Sequence, residues 1–346
     1  MKQQLLDIRG RPLPPTAFII RHTELAQFLS CPRKWAVLSH NGLNMRPKTK
    51  NRNLRLGTIW HEALEEYYLM KKIGPVKDAI EAGRVKLEKA IKEDKDSLME
   101  SFQMTGMFTE SSELDDDAEL LRQMYQGYTF WANHEAIVKD VHFDVIDVER
   151  RLLVPIYTPK GKKARAMYLA VKIDAIIDYK GGMWVMEHKT AGRSTKVDDV
   201  PGLALDLQLA LQAMALQHYT HRMRGIFYNV ARKQAPSSRV KAPLFGRTLV
   251  QKNMAEMQNV QELLYNAGLE MRRISNQLKK SKDPVAELRN IRHIPNVIGN
   301  GPCIWGCPAL ALCEALNRKD DFHYLFESGF EDRGDFMQTL FEETTE

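Results

Sequence analysis

VKIDAIIDY, KGG and MWVMEHKT follow one another over residues 171–190. The two longer runs are rich in Val, Ile, Tyr and Trp and flank a glycine pair, a pattern typical of a β-hairpin with a tight turn. We take Gly181 and Gly182 as the two loop residues. A four-residue loop centred on them gives the same strand pairing, whereas a three-residue loop needs a bulge to restore it. The stretch therefore predicts two paired antiparallel strands.

Three charged side chains of this hairpin are predicted to share one face. The glycine loop places Asp174 opposite Lys189, and Glu187 lies on the same face as Lys189 because strand side chains alternate. Such groups are costly to bury on an apolar hairpin unless something binds there. Two neighbouring carboxylates suit Mg²⁺ or Mn²⁺, and the lysine could orient a water or stabilise charge on a phosphate. The alternative is a solvated ladder of ion pairs on a surface hairpin.

Asp174 followed by Glu187-His188-Lys189 resembles the PD-(D/E)XK nuclease signature in its RecB-like form. The resemblance implies that Asp174 and Glu187 bind the metal ions and that Lys189 positions the attacking water. It extends to a Gly-x-x-x-His-x-x-Leu-Glu motif containing His61, where the family's histidine is a metal ligand. Without the hairpin motif, a single histidine beside an apolar helix stripe is more often a core or boundary residue. An imidazole ligand favours Mn²⁺ over Mg²⁺.

The resembling family also carries Gln-x-x-x-Tyr on the helix after the hairpin, with the glutamine near the active site. Gln208 matches the first position, on a helix predicted over residues 206–219, but Gln212 stands where the family has tyrosine. This departure leaves the role of Gln212 open. The alternative is a pair of glutamines on a solvated helix face.

Four cysteines form a possible ligand set: Cys31 near the N-terminus, and Cys303, Cys307 and Cys313 together near the C-terminus. Thiols in a cytosolic protein are more often ligands than disulfides. Their arrangement resembles that of iron-sulfur RecB-like exonucleases, including the CRISPR-associated branch and the AddB nuclease domain, and implies a structural 4Fe-4S cluster. The family spacing is Cys-x-x-Cys-x5-Cys, whereas three residues fill the first gap here. Zinc is the alternative metal, and free buried cysteines are a second alternative.

The charge of the chain is unevenly distributed around a net value of +6. Residues 1–60 contain eleven Lys or Arg and two acids, and no acid lies between Asp206 and Glu256. Such segments suit the phosphate backbone of DNA, although a merely solubilising face is the alternative. Acids gather at residues 93–119, taken as part of an exposed insertion loop, and in a tail from residue 320. With no membrane span or secretion signal recognised, we expect a cytoplasmic protein of a bacterial or phage-infected cell.

The resemblance implies an α/β fold, a restriction-endonuclease-like core with a central mixed sheet flanked by helices. Residues 1–140 are expected to be mostly helical, 141–250 to hold the nuclease sheet and helix, 251–317 to be the helical cluster segment, and 318–346 to be an acidic tail. The iron-sulfur cluster would join the N-terminal and C-terminal parts. Apolar periodicity predicts helices at 23–30, from about 58 onward, and at 76–91, 119–136 and 250–278, and strands within 141–157 and at 225–231.

The function implied by the resemblance is metal-dependent DNA exonuclease activity in recombination, repair or phage DNA processing, on single strands or duplex ends. The chain has no Gly-x-x-x-x-Gly-Lys-Ser/Thr loop, so any unwinding would need a separate helicase or recombination protein. Two alternatives are a catalytically inactive DNA-binding or partner-docking module of the same fold and a CRISPR-type nuclease that processes prespacers.

Overall fold

Helices and strands are interspersed along the chain, and a run of three helices precedes a run of three strands. The computed structural model describes residues 7, 10–48, 52–105, 111–192, 196–197, 200–235, 243–294, 303 and 307–334. The α-helices are α1 (His22–Ser30), α2 (Pro32–Leu38), α3 (Arg52–Ile73), α4 (Val76–Thr105), α5 (Ser111–His134), α6 (Leu207–Tyr219), α7 (Met254–Lys280), α8 (Pro284–Glu287), α9 (Leu310–Arg318) and α10 (Phe322–Gly329). The strands are β1 (Phe18–Arg21), β2 (Met45–Pro47), β3 (Asp144–Tyr157), β4 (Lys163–Tyr179), β5 (Gly182–Ala191), β6 (Met223–Arg232), β7 (Phe245–Val250) and β8 (Phe330–Asp332).

The larger sheet is mixed, as the sequence predicts. Its order is β1-β4-β5-β6-β7, with β3 also paired to β4. The β1–β4 and β5–β6 pairs are parallel, whereas β4–β5 and β6–β7 are antiparallel. The parallel β5–β6 pair is connected through α6, the crossover that parallel neighbours require. Strand β7, which the sequence analysis did not predict, extends the sheet beyond β6.

Contacts within the chain group the residues into two compact units. Among the described residues, one unit comprises those within 1–50, 152–171 and 253–343, and the other comprises those within 51–151 and 172–252. Neither unit is a contiguous segment, unlike the four contiguous parts expected from the sequence. The predicted hairpin face and its helix α6 belong to the second unit.

The second unit has a core between its helices and one face of its strands. Ile59, Ala63 and Tyr67 form the buried stripe of α3 that their spacing predicts. They belong to one apolar cluster with residues of α4, α5 and the strands, including Ala175 and Ile177 on the hairpin. The hairpin face opposite Asp174 is therefore a core face, as expected from strand alternation.

The first unit packs helix α7 closely against a strand pair. A Cβ added at Gly268 of α7 would lie 2.5 Å from Met167 Cε and 2.8 Å from Ile20 Cδ1, so a larger residue would displace side chains there. A small antiparallel sheet pairs β2 with β8. The stretch from residue 320, expected to be an acidic tail, therefore contributes helix α10 and strand β8; residues 335–346 lie outside the described part.

Two stretches expected to be loops are helical. Helix α3 begins at Arg52, not near Thr58, and α4 and α5 together cover most of the expected acidic insertion; residues 106–110 lie outside the described residues. Basic and acidic residues of these helices pair with one another: Arg55 contacts Asp94 at 2.5 Å and Asp117 at 3.0 Å. No helix in the described ranges is long and apolar enough to span a bilayer.

Candidate active site

The turn of the central hairpin lies one residue earlier than the sequence suggests. Lys180 and Gly181 are the two loop residues, with φ of 52° and 74°, as a type I′ turn requires. Tyr179 therefore pairs with Gly182, and Ala175 pairs with Met186. The predicted pairing of Asp174 with Lys189 is therefore wrong.

Extending the observed register by one residue places Asp174 opposite Glu187. The error is a shift of two residues along β5, which preserves the face on which each side chain lies. Asp174 Oδ2 also accepts a hydrogen bond of 2.8 Å from the backbone N–H of His188. The two acids are therefore cross-strand neighbours on adjacent central strands.

The two carboxyl groups of this pair have opposite pKa shifts. Burial and the charge of Glu187 raise the pKa of Asp174. Burial alone would raise the pKa of Glu187 too, but the Lys189 ammonium and the Gln212 amide outweigh it and hold that pKa below its ordinary value. Burial would likewise lower the pKa of Lys189, yet the ion pair with Glu187, at 2.5 Å, raises it. Of these two carboxylates, Asp174 is thus the one whose negative charge is less compensated.

These shifts predict a stability difference between two variants in the absence of divalent metal. An acid whose pKa is raised by folding stabilises the fold only when protonated, so its contribution is lost as pH rises through the folded-state pKa. We expect Asp174→Asn to raise the melting temperature by a few degrees at neutral pH and to lose this advantage below about pH 4. Thermal unfolding in EDTA across this pH range measures the effect.

Glu187→Gln is the matched control because its pKa shift has the other sign. The contribution of Glu187 is present above its unfolded-state pKa and is lost as pH falls. This variant should therefore be less stable than wild type at neutral pH. A destabilised Asp174→Asn protein in EDTA at neutral pH would contradict the assigned charge balance.

Helix α6 brings two glutamines to the carboxylate of Glu187. Asp206 caps the helix by accepting from the N–H of Leu209 at 2.9 Å. Gln208 accepts from Lys189 Nζ at 2.8 Å and donates to Glu187 Oε1 at 2.6 Å. Gln212, one helical turn later, donates to Glu187 Oε2 at 2.5 Å.

Gln212 is therefore part of the site, although the sequence left its role open. It is wholly buried, and its Nε2 also lies 3.4 Å from the carbonyl oxygen of Lys172. Its Oε1 has no hydrogen-bond partner among the described residues. The solvated-face alternative for this glutamine is excluded by its burial.

His61 lies beside the acidic pair. It stands on α3 next to the buried stripe, with its side chain 31% exposed, and its Nδ1 is 3.6 Å from Asp174 Oδ2. Its ring lies edge-on to that of His188 at 6.5 Å between centroids. The structure thus brings together all five residues selected around the hairpin: His61, Asp174, Glu187, Lys189 and Gln208.

Behind the hairpin lies a buried polar network that the sequence analysis did not identify. Arg247 Nη2 contacts Asp140 Oδ1 at 2.8 Å, and both side chains are fully buried. Arg247 Nε donates to Asn229 Oδ1 at 2.7 Å, and Asn229 Nδ2 lies 3.4 Å from His188 Nδ1. Burial lowers the pKa of His188 well below its ordinary value.

Many of the basic side chains that the structure describes in these segments contact other parts of the chain. Arg52 and Arg55 pair with acids of α4 and α5, and Arg46 contacts Glu331 at 2.7 Å. In the second segment, Arg222 pairs with Asp178 and Arg247 is buried. The charge runs are therefore weaker support for a DNA-binding surface than the sequence suggested.

The four cysteines all belong to the first unit. Burial, and then the thiols of Cys307, Cys31 and Cys313, raise the pKa of Cys303. Arg33, two residues after Cys31, donates to Cys313 Sγ at 3.3 Å. All four are free thiols, and within the described ranges they are not arranged to hold a metal ion.

A mixed sheet whose central hairpin presents an acid, a second acid and a lysine defines a nuclease core of the Asp, Glu-x-Lys type. The family model of the PD-(D/E)XK nuclease superfamily matches residues 21–314, and the chain belongs to this superfamily. Nucleases of this superfamily generally use divalent metal ions.

Among solved structures, the chain is similar to a crystal structure of a protein provisionally named an exonuclease from Eubacterium rectale. The two share 11% identity over 81% of this chain and 91% of that chain, with a TM-score of 0.41. A likeness at this TM-score does not bear on function. No curated protein matches the chain.

The acidic pair fits a hard divalent cation by its chemistry. Within the described ranges, no group of three or more His, Cys, Asp or Glu side chains is arranged to hold a metal ion. Asp174 and Glu187 nevertheless place two carboxylates side by side, and such oxygens are what Mg²⁺ and Mn²⁺ prefer. Glu187 is occupied by Lys189 and both glutamines, so accepting an ion would require some of these contacts to be exchanged.

Proposed function

We propose that this chain is a DNA exonuclease that hydrolyses phosphodiester bonds with Mg²⁺ or Mn²⁺. The observation that supports the proposal most is the hairpin register, which sets Asp174 against Glu187 on one face, with Lys189 paired to Glu187. A pair of carboxylates with one adjacent amine suits metal-assisted attack of water on a phosphate.

Each residue of the site has a distinct part in the proposed reaction. A bound divalent ion would polarise the phosphate and lower the pKa of a bound water. Asp174 and Glu187 would hold the ion, and His61 would supply a further donor beside Asp174. Lys189 orients the attacking water and offsets negative charge on the phosphate, while Gln208 holds Lys189 and Glu187 in a fixed relation.

The proposed substrate is a DNA end, either single-stranded or at the terminus of a duplex. We expect linear DNA to be degraded and covalently closed circular DNA of the same sequence to remain intact. Reactions on substrates labelled at the 5′ or the 3′ end would show a ladder that reports the direction of digestion. Cleavage of the circle as fast as the linear form would contradict exonuclease activity.

We also propose that Cys31, Cys303, Cys307 and Cys313 bind a structural 4Fe-4S cluster. Support comes from the complete set of four thiols in one unit and from the Arg33 contact to Cys313, because hydrogen bonds from cations to sulfur stabilise thiolate ligands. Such a cluster would connect α2 with the segment leading into α9. Zinc is the alternative occupant of the same ligands.

The cluster proposal predicts a brown protein with absorption at about 400 nm that bleaches on reduction. Cys31→Ser should lose this absorption and its iron, because one ligand of four is removed. Ser30→Ala, the exposed neighbouring position at the end of α1, is the matched control and should retain both. A colourless wild-type protein containing one zinc per chain would contradict the iron-sulfur assignment.

A further inference from the structure

His188 contacts Asp174 through its backbone, and the edge-on ring of His61 is the site side chain beside its imidazole, at 6.5 Å between centroids. Its N–H donates to Asp174 Oδ2 at 2.8 Å. Because side chains alternate along a strand, the imidazole points away from the face of Glu187 and Lys189. His188 is only 2% exposed. The residues that pack against its ring therefore also fix the position of its backbone N–H, which contacts Asp174.

The ring of His188 is held on two sides by aromatic residues. Tyr68 stacks on it with 5.2 Å between ring centroids, and Tyr128 meets it edge-on at 5.9 Å. Its Nδ1 lies 3.4 Å from Asn229 Nδ2 and 3.5 Å from the Tyr128 hydroxyl. The residue between the two active-site positions of β5 is thus packed from several elements of its own unit.

Asn229 is oriented by the guanidinium behind it. Its Oδ1 accepts from Arg247 Nε at 2.7 Å, so its amide nitrogen faces His188, and His188 Nδ1 is the acceptor. Arg247 is in turn paired with Asp140, whose Oδ2 accepts from the hydroxyls of Tyr67 and Tyr68 at 3.0 Å each. A buried ion pair with this many partners has little freedom to move.

We propose that Asp140, Arg247, Asn229 and His188 form a positioning relay for Asp174. The relay sets the place of the His188 backbone N–H and thereby orients the Asp174 carboxylate toward Glu187, which tunes the affinity of the site for a divalent ion. These four are positioning residues, since they act on Asp174 through the His188 backbone N–H. The inference rests on the proposed function and adds to it the residues that control metal affinity.

The test compares Mn²⁺ binding, measured by calorimetry without DNA, among variants of the full chain. Both Asn229→Leu and His188→Phe remove the contact between Asn229 and His188. The leucine roughly keeps the volume of the asparagine side chain, and the phenylalanine keeps the ring that stacks on Tyr68. Each should weaken Mn²⁺ binding by about tenfold to a hundredfold, the range typical for groups that orient ligands. Binding of single-stranded DNA in EDTA should stay at the wild-type level.

Three further variants separate positioning from general destabilisation. His188→Gln retains an acceptor for Asn229 and should restore most of the Mn²⁺ affinity. The double variant of Asn229→Leu with His188→Phe should bind Mn²⁺ no more weakly than either single variant, because both remove the same contact. Thr129→Val removes a buried hydroxyl of α5 outside the relay, and should lower the melting temperature without changing Mn²⁺ affinity.

Failure of the relay and failure of the proposed function give different results. Wild-type affinity for Mn²⁺ in folded Asn229→Leu and His188→Phe proteins would overturn the relay while leaving the proposed function intact. If both proteins are unfolded, His188→Gln tests the relay instead. A hundredfold loss of Mn²⁺ affinity in this variant would overturn the relay, because the glutamine retains an acceptor for Asn229. Absence of Mn²⁺ binding by the wild-type protein would instead refute the proposed function.

Discussion

Replacing Asp174 with Asn is expected to slow DNA hydrolysis by about a thousandfold. The amide of the introduced asparagine retains an oxygen that can accept from the His188 N–H, so the hairpin keeps its register, but one of two adjacent negative charges is removed. The effect should fall on the rate of the chemical step, and DNA affinity in EDTA should change little. Single-turnover hydrolysis of end-labelled linear DNA, with Mg²⁺ and with Mn²⁺, measures it.

Asp178→Asn is the matched control for this substitution. Asp178 lies four residues along the same strand on the same face, and it pairs with the exposed Arg222. Its loss should change the rate by no more than about twofold, as for a surface ion pair. Equal rates for Asp174→Asn and the wild type would mean that the acidic pair does not carry the reaction.

Replacing Arg247 with Met is expected to lower the free energy of unfolding by about 3–5 kcal/mol. The substitution leaves the Asp140 carboxylate fully buried with the hydroxyls of Tyr67 and Tyr68 but without its cation. Asn229 also loses the donor that orients its amide. Urea unfolding followed by circular dichroism measures the change.

Two comparisons identify the origin of this loss. Arg222→Met breaks the exposed pair with Asp178 and should cost less than about 1 kcal/mol. Adding Asp140→Asn to Arg247→Met should recover part of the loss, because no uncompensated charge then remains buried. A cost for Arg247→Met no larger than that for Arg222→Met would contradict the structural role of the buried pair.

The composition of the active-site face was predictable because it depends only on the parity of strand positions. Asp174, Glu187 and Lys189 occupy alternate positions that stay on one face under any shift of two residues. The identity of the cross-strand partner was not predictable, because it depends on the turn. Lys180 adopts a positive φ that glycine adopts more readily, so the Gly-Gly pair pointed to the wrong loop residues.

The partners of the basic residues could not be predicted from runs of charge in the sequence. A run of Lys and Arg without local acids suggests a free surface, but the partners lie far along the chain. Arg55 contacts acids about 40 and 60 residues away, and Arg247 finds Asp140 more than a hundred residues earlier. Long-range pairing of this kind is decided by tertiary packing.

Gln212 shows the limit of a family pattern. It shares a helix face with Gln208, so its place near the site followed from a spacing of four residues. Its contact with Glu187 did not follow, because the family has tyrosine there and the sequence offered no partner for an amide. Likewise His188, an intervening position of the signature, carried no signal for its buried contacts with Asn229 and Tyr68.

The most direct measurement is anomalous scattering from a crystal of this protein soaked in Mn²⁺. The account predicts a peak bridging the carboxylates of Asp174 and Glu187, with Glu187 released from at least one of its present partners. A fully soaked crystal that shows no such peak, and in which Glu187 still holds Lys189, Gln208 and Gln212, would contradict it.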